Sequence, residues 1–343
     1  MKIRNAALAA GLVAALAMTG CSGGGGGGGT TAPDVTVDDP ALQELIDAAT
    51  EEGEMTLYSI IDEGPMRAVA QAFTDKYGVD VSVQRLVSAD LQQRYSAEAE
   101  AGATVADVVM LTHSPFYSDG FDKGWLTPLA DADIPGFDEY PADFVRNDGG
   151  AAIVSLVPTR LVYNTDAVEE EPTSWEEYAD PKYKGKLLFA APDTSPANLT
   201  FWSLMVDEFG EDFLRDVAKN EPTWMNSAVV TTQGVAAGEG DLAHPGVLAI
   251  VNTLKKEGAP VEAALLGPTT GPEIGIALSA ESPSPNAAKL FAHFLLSQEG
   301  SEVLAEETGD GSPFGLNMVD GWVSPGPVND ETKAKINELL GAN

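Results

Sequence analysis

From Met55 to Thr112 the chain runs twice through one order of elements: an apolar β-rich run, a polar turn and an amphipathic helix. "MTLYSI" reads as a strand, "IDEGP" as a turn that opens a helix with Pro65 in its first turn, and Met66, Val69, Ala70 and Phe73 share one helical face before Tyr77-Gly78 ends it. "VDVSVQRL" then alternates as a strand, "SADLQQRYSAEAEAG" is a helix N-capped by Ser88 and closed by Gly102, and "ADVVMLT" is a buried strand. Strands joined by whole helices pair in parallel, because only a crossover of about a dozen residues or more returns the chain to the same sheet edge. The expected fold class is therefore α/β.

The same alternation continues. "PALQELIDAATEE" is a helix ahead of the first strand. "AAIVSLVPTRLVYNT" is a long strand-like stretch interrupted at Pro158, and "GKLLFAAPDTSPANLTFWSLMVDEFG" is strand, loop and helix. "APVEAALL" and "PEIGIALSA" are further strands, "SPNAAKLFAHFLLSQEGSEVLAEETG" is helical, and "NDETKAKINELLGAN" is a terminal helix.

The amino terminus has a different character. Lys2 and Arg4 precede an apolar run from Ala6 to Met18, then Gly20 and Cys21, then a run of seven glycines. Charge, apolar core and small residues in that order read as a secretory signal over residues 1–20, too short for a membrane span. A cysteine directly after it resembles the bacterial lipobox, so Cys21 is the expected lipidation site, and residues 21–39 form a flexible tether to the membrane. An exported chain anchored by lipid to the outer face of the cell membrane follows. Its only cysteine is then consumed, and no internal disulfide can form.

A net charge of -34, from 53 acidic against 19 basic residues, excludes nucleic acid as a partner, since phosphate backbones need clustered Lys and Arg. No nucleophile elbow, zinc-protease pair or phosphate loop occurs. His113, His244 and His293 are too far apart for metal spacing, and the calcium-like "DADIPG" is broken by Pro135. No cofactor, resident metal or enzymatic activity is expected. What recurs is a polar loop after a strand and before a helix: Ser59 to Gly64, Ser88-Ala89-Asp90, Thr112-His113-Ser114 and Asp193-Thr194-Ser195. Such loops at the carboxyl ends of parallel strands form ligand crevices, with helix N–H groups facing the ligand.

The block "MTLYSIIDEGPMRAVAQAFTDKYGVDVSVQRLVSADLQQRYSAEAEAGATVADVVML", followed by "LVYNTDAV", "PTSWEEYADPKYKGKL", "QGVAAGEGDL" and "PNAAKLFAHFLLSQEGSEVLAE", resembles extracellular solute-binding proteins of ABC importers, specifically their ferric-iron-type group. The resemblance implies a two-lobed type II periplasmic-binding-protein fold with the ligand between the lobes and a two-stranded hinge. Residues 53–157 and 272–343 would form lobe 1 and residues 158–271 lobe 2. It further implies a small-molecule solute, a permease partner, membrane attachment by the lipid anchor alone, and a monomer. Iron-binding members carry adjacent tyrosines in the second lobe, whereas here "GEGDLAHPGVLAIVN" fills that stretch and no tyrosine follows Tyr183. A small polar, anionic organic solute such as a phosphonate, sugar phosphate or carboxylate is therefore expected. The alternatives are ferric iron, a polyamine-type cation met by Asp62, Glu63 and Trp224, and, in another class, a surface hydrolase. The expected ligand residues are Ser59, Glu63, Ser88, Thr112 and His113 from one lobe, and Tyr163, Asp193, Thr194, Ser195, Asn226, Ser227 and His244 from the other.

Overall fold

A computed structural model describes residues 37–342. The signal segment, Cys21 and nearly all of the tether lie outside the described residues. The first part of the chain contains α1 (Pro40–Glu52), β1 (Glu54–Ser59), α2 (Glu63–Tyr77), β2 (Asp80–Arg85), α3 (Ser88–Glu100), β3 (Val108–Thr112), α4 (Pro115–Asp122), β4 (Leu126–Thr127), β5 (Val145–Arg146) and β6 (Ala151–Leu156). Next come β7 (Arg160–Asn164), β8 (Leu187–Ala190), α5 (Pro196–Phe209), α6 (Glu211–Lys219), β9 (Thr223–Met225), α7 (Ala228–Ala236), β10 (Leu242–Gly246), α8 (Leu248–Lys256) and β11 (Val261–Ala264). The chain then forms β12 (Glu273–Ser279), α9 (Pro285–Leu296), α10 (Gln298–Thr308) and α11 (Asp330–Leu340).

These strands build two sheets. One has the order β2-β1-β3-β12-β6-β5 with β4 paired to β12, and the other β11-β7-β10-β8-β9. In the first, β1 is parallel to both β2 and β3, as the double crossover requires. In the second, β8 runs parallel to both β9 and β10.

Alternating side chains send each strand into two cores, which is why the runs are apolar throughout. Val108 and Met110 join one cluster with α1, α2 and α9, while Val109 and Leu111 join another with Tyr95, Phe116 and Tyr117. Leu187 and Phe189 pack with α5 and α6, whereas Leu188 turns to Val235 and Val251 of α7 and α8. Each full burial of such a side chain contributes about 1.5–3 kcal/mol, so a polar residue forced into either face would be costly.

The last helix departs from the expected lobe division. Ile336, Leu339 and Leu340 of α11 are buried among Phe213, Leu214 and other side chains of the second sheet's core. Lys335 pairs with Glu211 there at 2.5 Å. Residues 330–340 therefore belong with the second lobe and not with the first. The segment that brings them across makes a third connection beside the two expected: Leu156 pairs with Gly311, and Thr269 with Trp322.

Candidate functional site

Strand register shows where the two sheets meet. Thr112 at the end of β3 lies beside Ile274, Leu156 at the end of β6 beside Glu273, and Arg160 at the start of β7 beside Gly246 at the end of β10. The carboxyl ends of the parallel strands in both sheets therefore converge on the segments crossing between them. Those segments are bonded to one another: Val157 N–H donates to Pro272 O at 2.9 Å, and Thr159 N–H to Thr270 O at 2.9 Å. The loops after β1, β2 and β3 open on this side, as do those after β8, β9 and β10. Ligands bind at such strand ends in open α/β sheets.

Glu63, Ser88, Thr112 and His113 stand on the loops of the first sheet. Glu63 is exposed and pairs with Arg67 at 2.6 Å. Ser88 opens α3, but the capping position is Val87, and no side chain caps that helix. His113 N–H donates to Glu273 O at 2.8 Å, and its Nε2 lies 3.1 Å from Asn147 Oδ1. Its ring stacks over Tyr117 at 5.5 Å. Ser114, the next residue, has a buried hydroxyl with no partner.

On the second sheet, Asp193, Thr194, Ser195, Asn226 and Ser227 occupy the loops after β8 and β9. Thr194 Oγ1 donates to Ala191 O at 2.8 Å. Ser195 Oγ accepts from Asn198 N–H at 3.1 Å, capping α5, and Ser227 Oγ accepts from Val230 N–H at 3.4 Å, capping α7. Both hydroxyl protons remain free to donate outward. Asp193 is held by Lys333 of α11 at 3.5 Å.

Three expected residues are instead interior. Ser59 is fully buried, and its Oγ accepts from Ile61 N–H at 3.1 Å, which shapes the turn after β1. Tyr163 lies within β7 between Leu242 and Glu262, and its side chain joins the second sheet's core. His244 is fully buried among Phe201, Trp202 and Phe189, with Nε2 2.8 Å from Asn198 Oδ1. Asn198 Nδ2 donates to Ala191 O at 2.9 Å, so this histidine supports the Asp193 loop from behind instead of meeting a ligand.

The crossing region adds polar residues that sequence reasoning passed over. Arg146 Nη2 bonds both carboxylate oxygens of buried Glu273, at 3.0 and 2.9 Å. Arg160 Nη2 donates to Gly309 O at 3.1 Å, and Ser155 Oγ donates to Asp310 Oδ2 at 3.1 Å. The available signal was a lone arginine inside the apolar run "SLVPTRLVYN".

Residues 68–334 match the bacterial extracellular solute-binding protein family. The chain belongs to that family. A Haemophilus influenzae relative of this solute-binding protein, an uncharacterized protein, is 26% identical over 276 residues, covering 77% of this chain and 78% of the relative. Among solved structures, the iron-bound HitA of Pseudomonas aeruginosa is 21% identical with a TM-score of 0.55, over 84% of this chain and 96% of that one. AfuA of Actinobacillus pleuropneumoniae, with fructose-6-phosphate bound, is 22% identical with a TM-score of 0.51, over 84% and 97%. The substrate-binding protein of an ABC transporter from Agrobacterium tumefaciens is 14% identical with a TM-score of 0.60, over 86% and 96%. At these identities the likeness is one of fold: this solute-binding protein has the two-lobed α/β architecture of the periplasmic binding proteins.

Proposed function

We propose that this protein is the receptor of an ABC importer, held to the outer face of the membrane by lipid at Cys21, and that it captures a small anionic organic solute between its lobes for a permease. The observation that carries the anionic reading is the set of helix amino termini, those of α3 and α4 on one sheet and α5 and α7 on the other, that follow the converging strand ends. Their unpaired N–H groups and positive dipole ends favour negative charge, and the Ser195 and Ser227 hydroxyls add donors. Ligation of ferric iron by phenolate is disfavoured by the state of the tyrosines. All eight are buried, and burial pushes every one of their phenols up from the ordinary value.

Calorimetry with sugar phosphates, phosphonates, carboxylates, polyamines and Fe(III)-citrate tests this reading. Heat only with Fe(III)-citrate, accompanied by a phenolate-to-metal absorption band, would establish the iron reading instead. Ser195→Ala and Ser227→Ala are expected to weaken the anion roughly ten- to a hundredfold, the cost of one hydrogen bond to a charged group. Because both hydroxyls are caps, these variants should also lose about 1 kcal/mol of stability. The corresponding glycine variants separate the two effects, since glycine keeps most of a cap while removing the hydroxyl. Anion affinity undiminished in the glycine variants would remove these serines from the site.

The anchor has its own test. No helix of the described residues is long and apolar enough to cross a membrane. Cys21→Ser is expected to leave the protein unprocessed or to release it into the medium. Retention of a processed Cys21→Ser protein on washed membranes would contradict lipid attachment.

A further inference from the structure

Among the described residues Arg160 is the only lysine or arginine that is buried, at 8% exposure. It sits where β7 leaves the crossing segment, beside the end of β10. Its Nη2 is held by Gly309 O of the third connection, yet its Nε–H is buried with no partner. The carboxylate nearest in influence is Asp310, which is already bonded to Ser155. None of the described ion pairs includes Arg160, whereas the surface bases of this acidic chain are widely paired. A buried guanidinium with no direct ion pair, whose nearest carboxylate is engaged by Ser155, is costly, and an unmet N–H adds to the cost. An anion arriving from the converging strand ends would remove both penalties.

We propose that Arg160 is the residue that recognises the solute's phosphate or carboxylate, and that Asp310 is an internal placeholder competing with that anion for the guanidinium. This rests on the anionic reading above. Arginine suits the task because its planar fork matches both groups. Burial pushes the Asp310 carboxyl up to about 6, against the opposing effects of Ser155 and Arg160, and Asp62 adds repulsion. A carboxylate in that condition is a weak counter-ion, and a fully charged ligand would displace its influence.

The experiment is calorimetry of the whole chain with fructose 6-phosphate, citrate and inorganic phosphate, on the wild type and on Arg160→Gln, Arg160→Lys and Asp310→Asn, beside melting curves of the empty proteins. Arg160→Gln is expected to weaken the bound anion roughly a hundredfold and Arg160→Lys roughly tenfold, as the fork and then the charge are lost. The empty Arg160→Gln protein should melt at or above the wild-type temperature, because a buried charge with only a weak counter-ion has gone. Asp310→Asn should bind the anion several-fold more tightly. A purely structural arginine gives the opposite pair: lower melting temperature and anion affinity within twofold of wild type, which overturns the proposal while the anionic reading stands. Absence of binding by wild type to all three anions overturns the anionic reading and this inference with it.

Discussion

Acidified from about pH 7 to about pH 4, the empty protein is expected to lose stability through His244. Burial holds this imidazole down from 6.5 to about 3, because the aromatic cage around it cannot hydrate a cation. Asn198 fixes the neutral tautomer: its Nδ2 donates to backbone carbonyls, so its Oδ1 must accept, and His244 Nε2 carries the proton. A depressed folded-state value means that the unfolded chain gains a proton which the folded chain refuses. The stabilisation is fully present above 6.5 and is lost progressively as the pH falls toward 3, on the order of 4 kcal/mol in all. His293, also held down by burial, acts in the same direction. Asp310 acts oppositely, since its raised value contributes stability below 3.8 that disappears as the pH rises through about 6. Melting curves of wild type and His244→Gln should therefore converge on acidification, the variant starting lower at neutral pH but declining less. Parallel curves would mean that His244 is not the buried neutral group described.

The second large effect is expected from Gly271→Ala. A Cβ there would stand 1.8 Å from Val157 O and 2.9 Å from Val157 C, both backbone atoms of the other crossing segment. Neither can rotate away, and the bonds from Val157 N to Pro272 O and from Thr159 N to Thr270 O must stretch to admit the methyl group. Overpacking of this kind costs about 3 kcal/mol, which for a chain of this size lowers the melting temperature by roughly 5 °C. Gly64→Ala is the control, because nothing lies within 4 Å of its added carbon, and alanine is the better helix former. A Gly271→Ala protein that melts with the wild type would show that the two segments separate readily.

The parallel half-sheets were legible because their signal is local. An alternating run such as "VDVSVQRL" and a one-faced helix such as that bearing Val69 and Phe73 each declare their partner layer within a few residues. The destination of α11 was not legible. Ile336, Leu339 and Leu340 mark an apolar face, but spacing does not say which of two cores receives it. His244 was misplaced for a related reason. Nothing within "DLAHPG" says that this strand, β10, lies between β7 and β8 and is covered by helices on both faces. Ser195 and Ser227 were legible as caps, because a serine between a strand and a helix is a capping pattern. Arg160 and Asp310 lie 150 residues apart, and only the third connection brings them together.

That third connection fixes the two ends of the described chain to different bodies. Helix α1 is packed into the core of the first sheet and α11 into that of the second. Glu44 and Glu338 are exposed on these helices, and the chain has no cysteine other than Cys21. Dyes attached at those two positions would ride on opposite lobes without touching the loops between them. Energy transfer between them would then convert any change in lobe separation into an optical signal, making the protein a ready scaffold for a reagentless sensor of whatever solute it takes.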